Sequence, residues 1–270
     1  SMLAPVADDL RRVDALVGER LASDVPLVRE VAQYIVAAGG KRLRPALLLL
    51  SCGAFGYRGE ARLSLAAVVE FIHTATLLHD DVVDESELRR GLRTANAAFG
   101  NAAAVLVGDY LVSKAFQMIA SLRNQAIFDI MSDATNVIAE GEVLQLINQH
   151  DPDTTEARYL EVIRGKTAKM FEAAAECSAA LATPEYRQAM AAYAQHLGAA
   201  FQIVDDVLDY TSSADVMGKN VGDDLAEGKP TLPLIRAMQV LAPADADLIR
   251  HAIRDGGLDQ LDTIIALVQR

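Results

Sequence analysis

Apolar residues recur at helical spacing along most of the chain. Ala, Leu and Val dominate the stretch from Pro45 to Pro152, which has no proline in its interior. Because proline breaks helices, so long a stretch without it predicts long helices. No window alternates apolar and polar residues as a half-buried strand would. The pattern therefore predicts one all-α domain that spans residues 1–270.

The predicted helices end at glycines and prolines. Gly39 and Gly40 end an early helix, and Gly165 breaks a later one. Thr183 precedes a proline and a glutamate, which predicts a hydroxyl cap at the start of another helix. Residues 64–84 are apolar nearly all round. A helix without a polar face is buried, so this segment is predicted to lie inside the bundle.

Composition and charge exclude several classes of protein. Hydrophobic residues make up 51% and charged residues 23%, which excludes a mainly disordered chain. The net charge of −12 is the opposite of what a general nucleic-acid binder needs. Cys52 and Cys177 lie too far apart to suggest a disulfide framework or a zinc site, and they suit a reducing cytoplasm. We see no signal peptide and no apolar run long enough to cross a bilayer, so a cytoplasmic protein without a transmembrane segment is predicted.

Two stretches read D-D-x-x-D where an apolar helix is predicted to end. Their carboxylates belong to Asp80, Asp81 and Asp84, and to Asp205, Asp206 and Asp209. Residues one and four positions apart share or adjoin a helix face, so three carboxylates should converge at each place. Like charges this close repel each other, and no basic residue lies in the same turn to offset them. Mg²⁺ prefers carboxylate oxygens and shares its remaining positions with phosphate, so a magnesium site is predicted. For one triplet alone, a solvated acidic helix end is the alternative.

Basic residues cluster at predicted helix ends and in glycine-containing loops. They are Lys41, Arg42 and Arg44; Arg89 and Arg90; Lys166; Lys219; and Lys229. In so acidic a chain this grouping predicts two diphosphate sites, one held through metal and one held by Arg and Lys. A solvated lysine is the alternative, above all for Lys219. His73 lies two helical turns before Asp80 and is a further candidate donor to phosphate, with a core histidine as the alternative.

These motifs resemble the trans-isoprenyl diphosphate synthase (polyprenyl synthetase) family, and most of all its bacterial octaprenyl branch. The resemblance is carried by E-F-I-H-T-A-T-L-L-H-D-D at residues 70–81 and by G-K-N-V-G-D-D at residues 218–224. It covers nearly the whole chain and is strongest over residues 40–233. It implies an isoprenoid synthase-type helical bundle around a central cavity, and a homodimer.

The resemblance also implies a role for each site residue. About three Mg²⁺ ions are expected on Asp80, Asp81, Asp84, Asp205 and Asp209, with Asp206 supporting the second triplet. The allylic diphosphate is expected to contact Arg89, Lys166 and Lys229, with Lys219 nearby. Isopentenyl diphosphate is expected on Lys41, Arg44, His73 and Arg90. Thr167 and Gln202 are expected beside the reacting carbons.

The implied reaction is a head-to-tail condensation of isopentenyl diphosphate with an allylic diphosphate, with farnesyl diphosphate as the expected primer. Mg²⁺ and the cations stabilise the departing diphosphate, so the allylic C–O bond ionises. The double bond of isopentenyl diphosphate attacks the resulting carbocation, and a proton is lost. No side chain is an obvious base, and the family implies that the released diphosphate accepts this proton.

Product length is expected to depend on the positions one turn before the first acidic triplet. Ala75 and Thr76 gate short products in the family when they are aromatic, and both are small here. A long product is therefore predicted, namely C40 octaprenyl diphosphate for the side chain of a membrane quinone. A C45 or C50 product, or a shorter one, stays the alternative. Phe116, Met118 and Ile119 are candidates for the stop, with core packing as the alternative reading of each.

Two departures from the family and two rival functions accompany this prediction. Leu92 and Arg93 stand where the family often has Lys-Pro, and the chain ends sooner than its relatives, so C-terminal helices are expected to be missing. One rival is a metal phosphohydrolase with His79 and Asp80 as ligands, but the remaining histidines form no matching set. The other is a non-catalytic subunit of a heteromeric prenyl synthase, which would not be expected to keep both triplets.

Overall fold

The computed structural model describes residues 2–89, 91–211 and 222–270. Helices make up most of these residues, and the only strands described are two of two residues each, which confirms the all-α prediction. The α-helices are α1 (Ala7–Arg20), α2 (Pro26–Ala37), α3 (Leu43–Ala54), α4 (Ala61–Val83), α5 (Ala95–Phe99), α6 (Asn101–Ser121), α7 (Gln125–Asn148), α8 (Glu156–Ile163), α9 (Lys169–Ala182), α10 (Arg187–Thr211), α11 (Asp223–Ala226), α12 (Leu232–Val240), α13 (Pro243–Asp255) and α14 (Leu261–Val268).

Shorter elements lie between these helices. Turns of 3₁₀-helix occupy Ala4–Val6, Pro184–Tyr186 and Leu258–Gln260, and a π-helical turn occupies Arg164–Ala168. A small antiparallel hairpin pairs β1 (Leu88–Arg89) with β2 (Leu92–Arg93). Two sequence predictions are wrong in detail. Gly165 does not break the chain out of helix but lies inside the π-helical turn, and the Thr183 side chain makes no capping hydrogen bond.

The chain forms two compact units whose segments alternate along the sequence. The first contains residues 1–135 and 170–195, and the second contains residues 136–169 and 196–270. Helices α7 and α10 each begin in the first unit and end in the second. No linker marks the division, because it falls within continuous helices.

Helix α4 is the central element of the first unit. It packs mainly against α6 and α3. Leu65, Val68, Val69 and Leu78 are completely inaccessible, which confirms that this apolar segment is buried. Burying each such side chain contributes about 1.5–3 kcal/mol. The acidic C-terminal end of α4 therefore continues from a helix that is rigidly held in the core.

Helices α4 and α6 are also long and apolar enough to span a membrane by length and composition. Core helices of soluble proteins pass the same test. In α4, 67% of the apolar window is buried inside the protein, and in α6 the share is 44%. The burial of α4 is that of a core helix.

In the second unit, an aliphatic core holds the C-terminal end of α10. Tyr210 on α10 packs in one cluster with Leu225, Leu234, Ile249 and Ile264, all of them buried. Gln269 also donates to the backbone carbonyl of the same tyrosine at 2.7 Å. This packing fixes the helix end that carries the second acidic triplet.

Candidate active site

The first acidic triplet lies at the C-terminal end of α4, in the first unit. Asp81 is only 3% exposed, whereas Asp80 and Asp84 are half-buried. The backbone N–H of Asp84 donates to the carbonyl of Asp80 at 2.8 Å, which closes the last turn. The middle carboxylate therefore faces the protein interior, and the outer two remain within reach of a ligand.

Arg89 on β1 binds the buried middle carboxylate. Its Nη2 lies 2.6 Å from Oδ1 of Asp81, and its Nε lies 3.0 and 3.1 Å from the two carboxylate oxygens. Burial raises the pKa of Asp81 above its ordinary value, and the Arg89 guanidinium opposes that rise. A carboxylate buried to this degree requires a cation beside it. Arg89, predicted to contact a diphosphate, supplies that cation here.

The hairpin that carries Arg89 is anchored to the same end of α4. Thr94 Oγ1 donates to the carbonyl of Ser86 at 2.7 Å. Asn96 Nδ2 donates to the carbonyls of Asp81 and Ser86, at 3.2 Å each. Neither anchor was predicted from the sequence. Thr94 could have been found as the cap of the short helix α5, whose backbone N–H at Ala97 it accepts.

The residues predicted to hold isopentenyl diphosphate are partly brought together in the first unit. Arg44 Nη1 lies 3.2 Å from Nε2 of His73, and the guanidinium stacks 4.7 Å above the ring of Phe171. Burial lowers the pKa of Arg44 to about 10, so the side chain is still a cation at neutral pH. Its Nε is buried and has no hydrogen-bond partner in the structure. Lys41 is exposed.

Arg42, between these two basic residues, has a structural place. It adopts the left-handed conformation with φ 51° at the start of α3. Its guanidinium pairs with Glu70 on α4 and with Asp14 on α1, the latter at 3.0 Å. The two ion pairs fix the turn that presents Lys41 and Arg44. A cavity of about 60 Å³ lies beside this turn and is bordered by Arg42, His73 and Arg89, among others.

The second acidic triplet lies at the C-terminal end of α10, in the second unit. Asp205 is half-buried, Asp206 is 4% exposed and Asp209 is inaccessible. Asp209 Oδ2 accepts a long hydrogen bond, 3.4 Å, from the backbone N–H of Asp224 at the start of α11. The middle aspartate is thus buried in both triplets, while the first one is accessible.

Asp206 is bound by neutral donors rather than by a cation. The hydroxyl of Tyr159 donates to its Oδ2, and Gln202 Nε2 donates to its Oδ1 at 2.8 Å. Thr167 Oγ1 in turn donates to Gln202 Oε1 at 2.9 Å. Burial raises the pKa of Asp206 to about 7, the charge of Asp224 adds to the rise, and the two hydrogen bonds oppose it. Tyr159 was not predicted from the sequence, because nothing local to residue 159 shows that α10 packs against it.

The π-helical turn positions Lys166 and Thr167. Lys166 Nζ binds Glu142 Oε2 and Gln145 Oε1 on α7, each at 2.7 Å. Two glycines allow α7 to approach this turn so closely, because a Cβ added at Gly165 would lie only 3.2 Å from the Cα of Gly141. Single π-helical turns occur frequently at functional sites. The turn brings two predicted site residues to one edge of the second unit.

Replacing Gly141 with alanine is expected to lower the free energy of unfolding by about 1–3 kcal/mol. The new Cβ would lie 2.6 Å from the backbone nitrogen of Lys166, so the backbone must move. Urea titration measures the loss. Gly18→Ala is the matched control, because a Cβ at that exposed position of α1 meets nothing within 4 Å. That control should gain up to about 1 kcal/mol. Equal effects of the two substitutions would contradict the close-packing account.

The remaining predicted cations are placed as follows. Lys229 Nζ lies 2.5 Å from Glu227 Oε2, and its backbone N–H donates to the carbonyl of Asp224 at 2.8 Å. Arg90 and Lys219 lie outside the described residues.

The two positions predicted to control product length are successive residues of α4. Ala75 is 1% exposed and Thr76 is half-buried.

The side chains of the two acidic triplets are of the chemical type that binds hard divalent cations. Within residues 2–89, 91–211 and 222–270, no three His, Cys, Asp or Glu side chains are gathered closely enough to hold an ion. Arg89 nevertheless occupies a position beside Asp81 where positive charge is required. Carboxylate oxygens such as those of Asp80, Asp84 and Asp205 are the ligands that Mg²⁺ prefers.

Comparison with known proteins gives one consistent result. Octaprenyl diphosphate synthase of Escherichia coli K12 is 56% identical over 252 residues, which cover 93% of this chain and 78% of that enzyme. The geranyl-diphosphate-specific all-trans-nonaprenyl-diphosphate synthase of Rhodobacter capsulatus is 54% identical, with coverage of 99% and 83%. A polyprenyl synthase of Caulobacter crescentus, crystallised with calcium and isoprenyl diphosphate, superposes with a TM-score of 0.95 at 42% identity. The aligned region covers 99% of this chain and 83% of that one. The polyprenyl synthetase family model matches residues 25–268, and this chain therefore belongs to that family.

Proposed function

We propose that this protein is a Mg²⁺-dependent trans-prenyltransferase. It condenses isopentenyl diphosphate with an allylic diphosphate, farnesyl diphosphate being the proposed primer, to make a long all-trans polyprenyl diphosphate. One observation carries the proposal beyond family membership. In each acidic triplet the middle aspartate is buried on a protein partner, while the first stays accessible at the end of a rigid helix. This arrangement holds each middle carboxylate on protein hydrogen-bond donors and leaves the first carboxylate of each triplet within reach of a metal.

The ligands proposed for about three Mg²⁺ ions are Asp80, Asp81, Asp84, Asp205 and Asp209, with Asp206 in support. When bound, the metal neutralises charge on the departing diphosphate. The chain's own cations add to that stabilisation, and Arg89, Lys166, Lys219 and Lys229 are proposed for the allylic diphosphate. Because each of these donates charge-assisted hydrogen bonds to phosphate oxygen, they stabilise the leaving group most as its charge develops.

Isopentenyl diphosphate is proposed to bind Lys41, Arg44, His73 and Arg90. The contact between Arg44 and His73 supports this assignment. A guanidinium only donates hydrogen bonds, so His73 accepts from it at Nε2 and keeps Nδ1 as a donor. The orphaned Nε of Arg44 leaves this cation with unused donor capacity.

The allylic cation formed on ionisation requires a site that excludes water and presents oxygen dipoles. Thr167 and Gln202 are proposed beside the reacting carbons, and their mutual hydrogen bond orients both. After the new C–C bond forms, the departing diphosphate is proposed to take the proton.

A direct assay tests the function. The purified chain is incubated with labelled isopentenyl diphosphate, farnesyl diphosphate and Mg²⁺, and the lipid product is sized. A C40 chain is expected, because the relatives that share more than half of this sequence include octaprenyl diphosphate synthases. The nonaprenyl relative makes C45 the first alternative. Diphosphate release without isopentenyl diphosphate would indicate a phosphohydrolase, and activity only with a second subunit would indicate a heteromeric synthase.

Replacing Thr76 with phenylalanine is expected to shorten the product to C20 or below, because an aromatic ring one turn before Asp80 would close the path of the growing chain. The half-buried position can accept a ring, whereas Ala75 is 1% exposed. Ala75→Phe should shorten the product too, but overpacking there costs about 1–3 kcal/mol. Thr76→Val is the control and should leave chain length unchanged. An unchanged product in both phenylalanine variants would exclude these positions as gates.

We further propose that the protein is a cytoplasmic homodimer whose product passes to a membrane. Leu106 on α6 is 67% exposed. Its sequence neighbour Val105 and Phe128 on α7 are also exposed. Exposed apolar side chains of this size favour contact with a second chain. Cys52 and Cys177 are free and buried, as suits a reducing compartment. Light scattering should give twice the mass of the chain, and Leu106→Glu should give monomers.

A further inference from the structure

We infer that Tyr159 is a positioning residue for the condensation, acting through Asp206 and Gln202 on Thr167. The inference rests on the proposed function, which places Thr167 beside the reacting carbons. Tyr159 lies on α8, eight positions before Thr167, and no motif points to it. It makes no contact with the reacting carbons in this proposal. It acts by fixing the direction in which the Thr167 hydroxyl points.

A continuous chain of hydrogen bonds joins the four side chains. The Tyr159 hydroxyl donates to Asp206 Oδ2, Gln202 Nε2 donates to Asp206 Oδ1 at 2.8 Å, and Thr167 Oγ1 donates to Gln202 Oε1 at 2.9 Å. Tyr159 is 5% exposed, Asp206 is 4% exposed and Thr167 is 6% exposed. Water therefore has little access with which to replace any link.

The chemistry of the groups gives the chain one direction. In its ionised form the Asp206 carboxylate only accepts, so the Gln202 amide turns its nitrogen towards it. Its oxygen then faces Thr167 and accepts the hydroxyl proton. Because the hydroxyl proton is used in the hydrogen bond to Gln202, the Thr167 oxygen presents only lone pairs to its other neighbours. An oxygen dipole held in this sense stabilises a developing carbocation without having to reorient.

Tyr159 secures the carboxylate end of this chain. The ring packs with Ile163 and Ile235, which holds the hydroxyl at a fixed point. Without that hydroxyl, one oxygen of a buried carboxylate loses its donor, and Asp206 can turn towards another. Gln202 then loses the acceptor that fixes the orientation of its side-chain amide. The Thr167 hydroxyl is in turn no longer held in one orientation.

Tyr159→Phe tests the inference, because it removes only the hydroxyl. We expect kcat to fall about tenfold while KM for both diphosphates stays within twofold, since neither substrate's binding groups are touched. In a Thr167→Val background the same substitution should cause no further fall in kcat. Tyr186→Phe, at a tyrosine that is 52% exposed, is the matched control and should leave kcat unchanged.

The outcomes separate this inference from the proposed function. If the wild-type chain makes no polyprenyl diphosphate, the proposed function fails. If the wild type turns over and folded Tyr159→Phe has wild-type kcat, or if its effect adds fully to that of Thr167→Val, the positioning role is wrong.

Asp206→Asn gives a second test should Tyr159→Phe not fold. It breaks the same chain at its centre, because an amide cannot accept at both ends. We expect the same loss of kcat with an unchanged Mg²⁺ concentration for half-maximal rate. A raised Mg²⁺ requirement would mean that Asp206 acts on the metal, and would overturn the inference.

Discussion

Replacing Asp80 with alanine is expected to lower kcat for condensation about a thousandfold or more. Asp80 is the accessible first carboxylate of a triplet whose middle member is already committed to Arg89. No other side chain of α4 can take over its place, because the next accessible aspartate lies a full turn away at Asp84. Losing one metal ligand removes several kcal/mol of leaving-group stabilisation, and each 1.4 kcal/mol is tenfold in rate.

The measurement pairs steady-state kinetics with a binding experiment. Mn²⁺ affinity, followed by electron paramagnetic resonance in the presence of inorganic pyrophosphate, should fall with the rate. Asp129→Ala removes an exposed carboxylate from α7 and serves as the control, with both quantities near wild type. A rate within tenfold of wild type, with Mn²⁺ binding intact, would remove Asp80 from the metal site.

The positions of the two acidic triplets could be predicted because their information is local. The D-D-x-x-D spacing and an apolar run before it are enough to place carboxylates at a helix end. Which carboxylate is buried is not local information. Asp81 is held by an arginine eight residues later, and Asp206 by a tyrosine 47 residues earlier. The D-D-x-x-D pattern does not distinguish the members of a triplet, whereas tertiary packing buries Asp81 in the first triplet and both Asp206 and Asp209 in the second.

The π-helical turn shows a second limit of the same kind. The sequence pattern predicts a break at Gly165, since glycine destabilises the interior of a helix. Its lack of a side chain instead lets α7 approach, and the extra residue of the π turn is accommodated there. Helix-period reasoning counts 3.6 residues per turn, so every face assigned across residues 164–168 shifts. No break in the sequence pattern separates the two units, because α7 and α10 each run from one unit into the other.

Replacing Arg89 with alanine is expected to raise KM for the allylic diphosphate about a hundredfold and also to destabilise the fold. Charge-assisted contacts to a buried or half-buried anion are worth about 2–5 kcal/mol when truncated. The same substitution leaves Asp81 buried without its cation, which should lower the free energy of unfolding by about 2 kcal/mol. Arg89→Lys should change both KM and the free energy of unfolding less than Arg89→Ala does. Lysine keeps the positive charge but lacks the planar guanidinium that binds two oxygens at once.

Arg93→Ala, on the partner strand of the same hairpin, is the matched control. Arg93 is exposed, and its Nη2 donates only to the carbonyl of Ala97 among the contacts described for it. Steady-state kinetics and urea titration should place this control near wild type in both KM and stability. Adding Asp81→Asn to Arg89→Ala should recover stability, because it removes the uncompensated charge. Asp81 is itself a proposed Mg²⁺ ligand, so KM is compared only between the wild type, Arg89→Ala and Arg93→Ala. A KM within threefold of wild type in Arg89→Ala would exclude Arg89 from the diphosphate site.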